Sequence, residues 1–408
     1  MREQLWLKPA VYCVLSVVAA LLTKAVDMSD SPDFLPTINR DTVETLLQIM
    51  ASSMLVIATF SVASMVAAYS SASRTATPRA FPLILGDDLS QNALSAFVGS
   101  FIFSIVALIS SKNGYYDKAG YFALFVVTLL VFAWVIVIFV RWVDAIARLG
   151  RLGNTIDKVE CAASKALTAR RKDPLLGGKP LQGDEPSGTA IHSEKVGYVQ
   201  HIRMDALQEY AEEHDTVIRV AALPGALAVP GQPLAWIGTC IADSDVDTNK
   251  CIRAAFKVGG DRVFDEDPRF GLVVLSEIVG RALSPAVNDP GTAIEIIGTF
   301  VRLFTEWVAP VDGSSDAPED RYDRIEVPAI SIDDMFDDAF TSIARDGAGA
   351  VEVVVRLQKA FQALASVGHP GLEQAARRHA RLSMKRAELS LELEEDLEIA
   401  RQSGLTAD

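Results

Sequence analysis

Cysteine and histidine are scarce in this 408-residue chain, with four of one and five of the other. Neither Cys13, Cys161, Cys240 and Cys251 nor His192, His201, His214, His369 and His379 show metal-ligand spacing, so no metal centre is expected. The phosphate loop Gly-x-x-x-x-Gly-Lys-Ser/Thr, the dinucleotide turn Gly-x-Gly-x-x-Gly and the nucleophile elbow Gly-x-Ser-x-Gly are all missing. With no recognisable catalytic constellation, the chain reads as a non-enzyme without a cofactor. Basic excess is lacking too: 38 Lys and Arg stand against 52 Asp and Glu, and a net charge of -14 argues against nucleic acid as a partner.

What is abundant is apolar sequence, and it is unevenly spread. Residues 1–142 hold the long apolar runs and are electrically neutral, with nine cations and nine anions; the whole net charge falls from residue 143 onward. Four runs approach the roughly 20 residues that cross a bilayer: Leu5 to Val26, Thr45 to Tyr69, Ala93 to Ile109 and Gly120 to Val140. Lys24 stands near the end of the first, where it can snorkel, and Trp6, Tyr121 and Trp142 sit at segment ends as an aromatic belt would. A cleaved signal peptide is a poor reading of the first run, since further spans follow. Arg2, Lys8, Arg74, Arg79, Arg141, Arg148 and Arg151 fall on one side, and Lys24, Arg40, Lys112 and Lys118 on the other. That bias places both termini in the cytoplasm, with residues 27–44 as the main outer loop.

Polarity within the spans is also uneven. The second carries Gln48, Ser52 and Thr59 along roughly one face, and the third carries Ser100 and Ser104 four residues apart. Small residues at that spacing ordinarily let helices pack closely; the alternative is a polar lining for a pore. No charge interrupts the spans, so a proton relay is not expected. Arg74 and Arg79, in the inner loop with Pro78 and Pro82, read as a membrane-face anchor on lipid phosphates.

The remainder reads as an α+β cytosolic domain. A helix continues out of the fourth span, and basic residues through Lys172 suit a helix near an anionic membrane surface. Residues 173–187, rich in Gly and Pro, read as a linker. Short strands follow at 196–202, 216–222, 227–229 and 234–237, with one helix at 204–214 and a further strand at 251–258. The turns Pro224-Gly225 and Pro230-Gly231 give this part the look of a small β-barrel. Asp267-Pro268 and Asp289-Pro290 each mark a helix start, Asp as cap and Pro in the first turn. Residues 309–328 read as an acidic loop, 332–345 as an amphipathic helix, and 351–367 and 371–403 as two more helices, the last a charged, solvated face or a contact between subunits. The expected division is 1–142 spans, 143–192 membrane-proximal helix and linker, 193–262 β-rich, and 263–408 helical.

Several blocks in order carry a resemblance: Pro78-Arg79, Phe97-Val98-Gly99-Ser100-Phe101, Leu223-Pro224-Gly225, Val229-Pro230-Gly231, Asp267-Pro268-Arg269-Phe270-Gly271, and Arg281-Ala282-Leu283-Ser284-Pro285 through Asn288-Asp289-Pro290. Together they resemble the bacterial integral membrane proteins called domain of unknown function twenty-two fifty-four, over residues 5–380. Thr77 stands where a serine is usual, and Gly291 where a bulkier residue is expected. The resemblance implies a multi-span inner-membrane protein with a cytosolic domain, and no established activity.

Three functions are compatible with these features. The leading one is a homo-oligomeric, channel-like assembly in the bilayer, with Gln48, Ser52, Thr59, Ser100 and Ser104 as polar lining and the cytosolic domain as regulator. The second is a membrane-anchored scaffold or binding module. The third is a membrane-tethered enzyme using the loop of Arg281, Ser284, Pro285, Asn288 and Asp289, although Asn288 and Asp289 can equally cap the helix that follows them.

Overall fold

Hydrocarbon admits backbone only where its polar groups are bonded internally, and the front of the chain is helical accordingly. The structure is a computed structural model describing residues 7–23, 38–85, 88–149, 151–182, 188–238, 246–310 and 321–404; the side chains of 72–75, 85, 88–89, 149 and 246–248 lie outside the description. The chain forms two units, Met1–Thr155 and Ile156–Asp408.

The first unit contains α1 (Leu7–Leu22), α2 (Arg40–Thr75), α3 (Phe81–Leu85), α4 (Asp88–Lys112) and α5 (Lys118–Leu149). Three helices are long and apolar enough to cross a membrane, at Arg40–Ser71, Ser90–Lys112 and Lys118–Arg148. The expected first span is represented by α1, whose 16 residues rise about 24 Å, short of a full crossing among the described residues. α4 is central, packed by α1, α2 and α5. Val43, Leu47, Met50 and Met54 of α2 meet a core that includes Ala93, Phe97, Phe103 and Ala107 of α4. Gly99 lets α1 approach: a Cβ there would stand 3.1 Å from Tyr12 Cβ. At one end Arg40 Nε donates to Glu44 (2.7 Å), Ser111 Oγ donates to the same carboxylate oxygen (2.8 Å), and the Tyr116 hydroxyl donates to the Ala20 carbonyl closing α1 (2.8 Å).

The aromatic belt is only partly as expected. Trp142 is buried, its ring edge-on to Phe60 and Phe97 at 6.1 and 6.0 Å, because α5 runs on past the apolar run and turns this residue inward. Tyr121 bonds to Ser111, and Trp6 lies outside the described residues. The outward face of α5 is bulky and apolar, with Leu130, Trp134, Val137 and Val140 exposed.

The second unit is mixed. α6 (Leu152–Lys172) leads into it, followed by β1 (Gly178–Pro180), β2 (Thr189–His192), β3 (Gly197–Ile202), α7 (Met204–Glu213), β4 (Ile218–Val220), β5 (Leu227–Ala228), β6 (Pro233–Ile237), α8 (Val246–Ala255), β7 (Phe256–Gly259), α9 (Pro268–Ala282), α10 (Pro290–Val308), β8 (Tyr322–Val327), α11 (Ile332–Asp346), α12 (Val351–Ala365), α13 (Pro370–Glu388) and α14 (Glu394–Gln402). One sheet has the order β1-β8-β4-β6-β2, with β1 and β4 parallel to β8; the other, β5-β3-β7, is antiparallel. No pairing among the described residues joins the ends of either sheet into a barrel.

Four boundaries differ from expectation. The Gly/Pro-rich linker contains β1, where Gly178 is required because a Cβ would stand 2.7 Å from the Ile325 carbonyl of β8. The acidic loop contains β8, whose Glu326 is buried against Arg219 at 2.8 Å. The strand expected at 251–258 is helix as far as Ala255, because Ile252 and Ala255, three apart, both face the core. The last charged helix breaks after Glu388, so that Leu391 packs with Val354, Ala387 and Ala400.

The helices of this unit surround an aromatic core of Phe300, Phe304, Phe336, Phe340 and Phe361, all fully buried. His379 of α13 sits among the last three of these rings. Its Nε2 is 3.1 Å from Asp337 Oδ1 and 3.2 Å from Arg378 Nη2, and its buried Nδ1 has no partner. Burial, helped by the Arg378 charge and opposed by Asp337, pulls its pKa from 6.5 down to about 4.

Two outcomes follow. Gly271 of α9 lies against α6, where a Cβ would stand 2.4 Å from Ala163 Cβ. Gly271→Val should cost about 1–3 kcal/mol, the usual overpacking range, with partial rescue by Ala163→Gly, read as thermal midpoints in detergent. An unfolded chain protonates its histidine near 6.5 while the folded ring resists to about 4, so the His379 contribution is complete above 6.5 and falls away as pH drops toward 4. His379→Leu should therefore lose less stability over that window than the parent, measured as urea midpoints; parallel pH dependences would refute this.

Candidate functional site

The loop between α9 and α10 is built from its own backbone. Leu283 N–H donates to the Val279 carbonyl (2.8 Å), and both the backbone N–H (3.2 Å) and hydroxyl (2.7 Å) of Ser284 donate to the Arg281 carbonyl. The Ser284 carbonyl accepts from Val287 and Asn288 N–H at 3.0 and 2.9 Å. Asn288 takes φ +50°, the left-handed region that Asn tolerates, and this reversal lets Asp289 N–H reach back to the Ala282 carbonyl at 2.8 Å. Asp289 then caps α10: Oδ1 accepts from Thr292 N–H (3.1 Å) and Oδ2 from the Thr292 hydroxyl (2.6 Å). The Thr292 hydroxyl and then its N–H hold the Asp289 carboxyl below the usual range.

The structure thus brings Arg281, Ser284, Asn288 and Asp289 together as a helix–helix corner. Pro285 and Asn288 are exposed, and Arg281 is exposed on the last turn of α9. Gly291, where a larger residue was expected, does not disturb the cap: a Cβ there would stand 3.2 Å from Asp289 Oδ1. Chemically, Asp289 is an ionised acceptor with both oxygens engaged by Thr292, an arrangement suited to fixing a helix start.

The polar residues of the spans are not brought together. Gln48, Ser52 and Thr59 lie on the exposed side of α2, with Ser52 donating to the Gln48 carbonyl (3.0 Å) and Thr59 to the Leu55 carbonyl (2.7 Å). Ser100 and Ser104 are buried on α4, and Ser104 donates to the Ser100 carbonyl (2.8 Å). Two sets that point in different directions do not line one path within a single chain. Arg79 is exposed in the short turn Pro78–Ala80, which Thr77 caps by accepting from Arg79 N–H (3.4 Å), so threonine serves where serine is usual. The side chain of Arg74 lies outside the described residues.

A further polar cluster, of which the sequence marked only the Asp267 cap, lies at the start of α9. Asp267, 1% exposed, caps α9 through Arg269 and Phe270 N–H and takes a two-pronged bond from Arg262 at 2.6 and 3.0 Å. Gly225 at φ +93° lies directly on this carboxylate, where a Cβ would stand 2.3 Å from Oδ2. Arg269 reaches α11 instead, pairing with Asp334 (2.8 Å) and Asp338 (2.7 Å), while Arg378 of α13 pairs with Asp337 at 2.7 Å. The doubled aspartates at 333–334 and 337–338 were the legible signal: like charges four apart on a helix call for a cation on each side. Among the described residues no group of three or more His, Cys, Asp or Glu is placed to hold a metal.

The architecture is thus a membrane-embedded helical unit joined to a mixed α/β unit. The chain belongs to the family described as predicted membrane protein, domain of unknown function 2254, whose pattern matches residues 2–363. Uncharacterized proteins of Mycobacterium tuberculosis and Mycobacterium bovis are 33% identical to it over 105 residues, 25% of this chain and 20% of each relative. The match therefore spans a fifth of the length of these curated relatives. No solved structure matches the chain.

If the corner is a cap, Asp289→Ala should lower stability by about 0.5–2 kcal/mol, and Asp289→Asn, another good cap, by much less. Equal losses in the two, read as thermal midpoints, would mean that the negative charge rather than the cap is what the loop needs.

Proposed function

We propose that this chain is a membrane-anchored scaffold or binding module of the bacterial inner membrane, with both termini in the cytoplasm and the second unit as its working part. The single observation that carries this reading is that the polar side chains of the spans do not converge: Gln48, Ser52 and Thr59 are exposed on α2, while Ser100 and Ser104 are buried on α4. The helices then serve as anchor. The Arg and Lys bias supports the orientation, and the close packing of α1 on α4 at Gly99 supports α1 as a fourth, short crossing. The second unit has the means to stand alone, with its own aromatic core and a sheet that interlocks segments 178–192, 218–237 and 322–327, so the expected β-rich and helical parts act as one body.

A second reading is favoured by one contrast. The outward faces of α5 and α2 are both bulky and apolar, but among the exposed Ile49, Leu55, Val56 and Phe60 of α2 stand the polar Gln48, Ser52 and Thr59. Copies meeting through α2 would place a polar path between chains, as an oligomeric conduit requires. Reconstitution of the full chain in vesicles, with ion and small-solute flux measured under applied potential and pH steps, separates the two. The anchor reading expects no flux above empty vesicles. Flux that disappears in Gln48→Leu/Ser52→Ala/Thr59→Val would overturn it in favour of the conduit.

A further inference from the structure

Large apolar side chains left in water are ordinary when they stand alone and informative when they gather. In the second unit Leu382, Leu389, Leu393 and Ile399 gather on the α13–α14 hairpin, all exposed, with Leu389 89% exposed. The hairpin holds them there by its own bonding. α13 ends at Glu388, and the backbone N–H groups of Ser390 and Leu391 close on the Ala387 carbonyl at 3.0 and 2.8 Å. Leu391 packs inward with Val354, Ala387 and Ala400, while Leu389 and Leu393 on either side of it stand outward. Leu382 precedes Leu389 by seven residues, two turns back on the same side of α13. On α14 Leu397 and Ala400 are buried and Ile399 points away from them.

The charges around this patch are segregated by helix. α13 contributes Arg381 and Lys385, both exposed and four residues apart, beside Leu382. α14 contributes Glu395 and Glu398, both exposed and three residues apart, beside Ile399. Other charges nearby are matched within the chain, Arg401 with Glu388 and Glu394, and Arg378 with Asp333 and Asp337. Among the described residues Arg381, Lys385, Glu395 and Glu398 have no ion-pair partner. The Arg401–Glu388 pair, 3.4 Å apart, ties α14 to the end of α13, so the cationic and anionic helices adjoin.

We propose that two copies of this chain dock through the α13–α14 hairpin on a two-fold axis, α13 of each lying against α14 of the other. Arg381 and Lys385 then face the partner's Glu395 and Glu398, and the four exposed apolar side chains exclude water between the helices. Charge complementarity identifies the occupant: a wholly acidic or wholly basic partner would satisfy one helix and be repelled by the other, whereas a second copy answers both, each contact occurring twice. The spacing agrees, since four residues of helix rise about 6 Å and three about 4.5 Å. This docking goes beyond either reading of the spans and uses none of their residues.

The full chain in detergent micelles is followed over a concentration series by light scattering, with the detergent mass subtracted. The expected result is a rise in protein mass from one copy to two. Arg381→Glu/Lys385→Glu should raise the midpoint concentration at least about tenfold, because like charges then face one another, and Glu395→Lys/Glu398→Lys should do the same. An equimolar mixture of the two variants should return to the parent midpoint, since every contact in the mixed pair again joins opposite charges. Thermal midpoints like that of the parent show that the variants are folded; if a double variant does not fold, Leu389→Ser reports instead, with about tenfold weaker association from the lost apolar burial. A chain that stays a single copy throughout the series, or variants that do not recover on mixing, would overturn the proposal. An assembly indifferent to the charge swaps would overturn it too and move the contact elsewhere, as to α2.

Discussion

A carboxylate removed from water must be answered by donors, and the second unit is organised around one such group. Asp267 is buried, yet four donors converge on it: two from Arg262 and the N–H groups of Arg269 and Phe270. That arrangement starts α9, fixes the segment between β7 and α9, and seats the Pro224-Gly225 turn on the carboxylate. Stripping a buried ion pair of one partner typically costs about 3–5 kcal/mol, so these segments depend on one another. Arg269 extends the same corner to α11, where the repulsion among Asp333, Asp334, Asp337 and Asp338 is relieved from one side by Arg269 and from the other by Arg378.

The opposite rule governs the first unit. Its interior is sealed by apolar side chains, and the hydroxyls of Ser52, Thr59 and Ser104 are answered by carbonyls of their own helices. At one end Arg40 and Ser111 close on the Glu44 carboxylate.

α6 combines two duties on two faces: apolar packing on α9 and a polar stripe on α10. Both attach the helix firmly to its unit. Close approach at Ala163 and Gly271 makes that attachment intolerant of added volume.

Some of this was legible in one dimension because its causes are local. Apolar runs announced four spans, of which three are helices long and apolar enough to cross a membrane, and Asp-Pro at 267–268 and 289–290 announced two helix starts, since a cap and its helix are neighbours in sequence. The capping role of Asp289 was likewise readable from its position. The tertiary structure alone decided features whose partners are distant. β1 and β8 hide in Gly/Pro-rich and acidic stretches because a strand of three or six residues is specified by the neighbour it pairs with. Asp267 found Gly225, and Trp142 turned into the core against Phe60 and Phe97, by contacts that no spacing encodes. Whether the polar residues of α2 and α4 face each other was decided by helix rotation, which depends on the packing of all the helices at once.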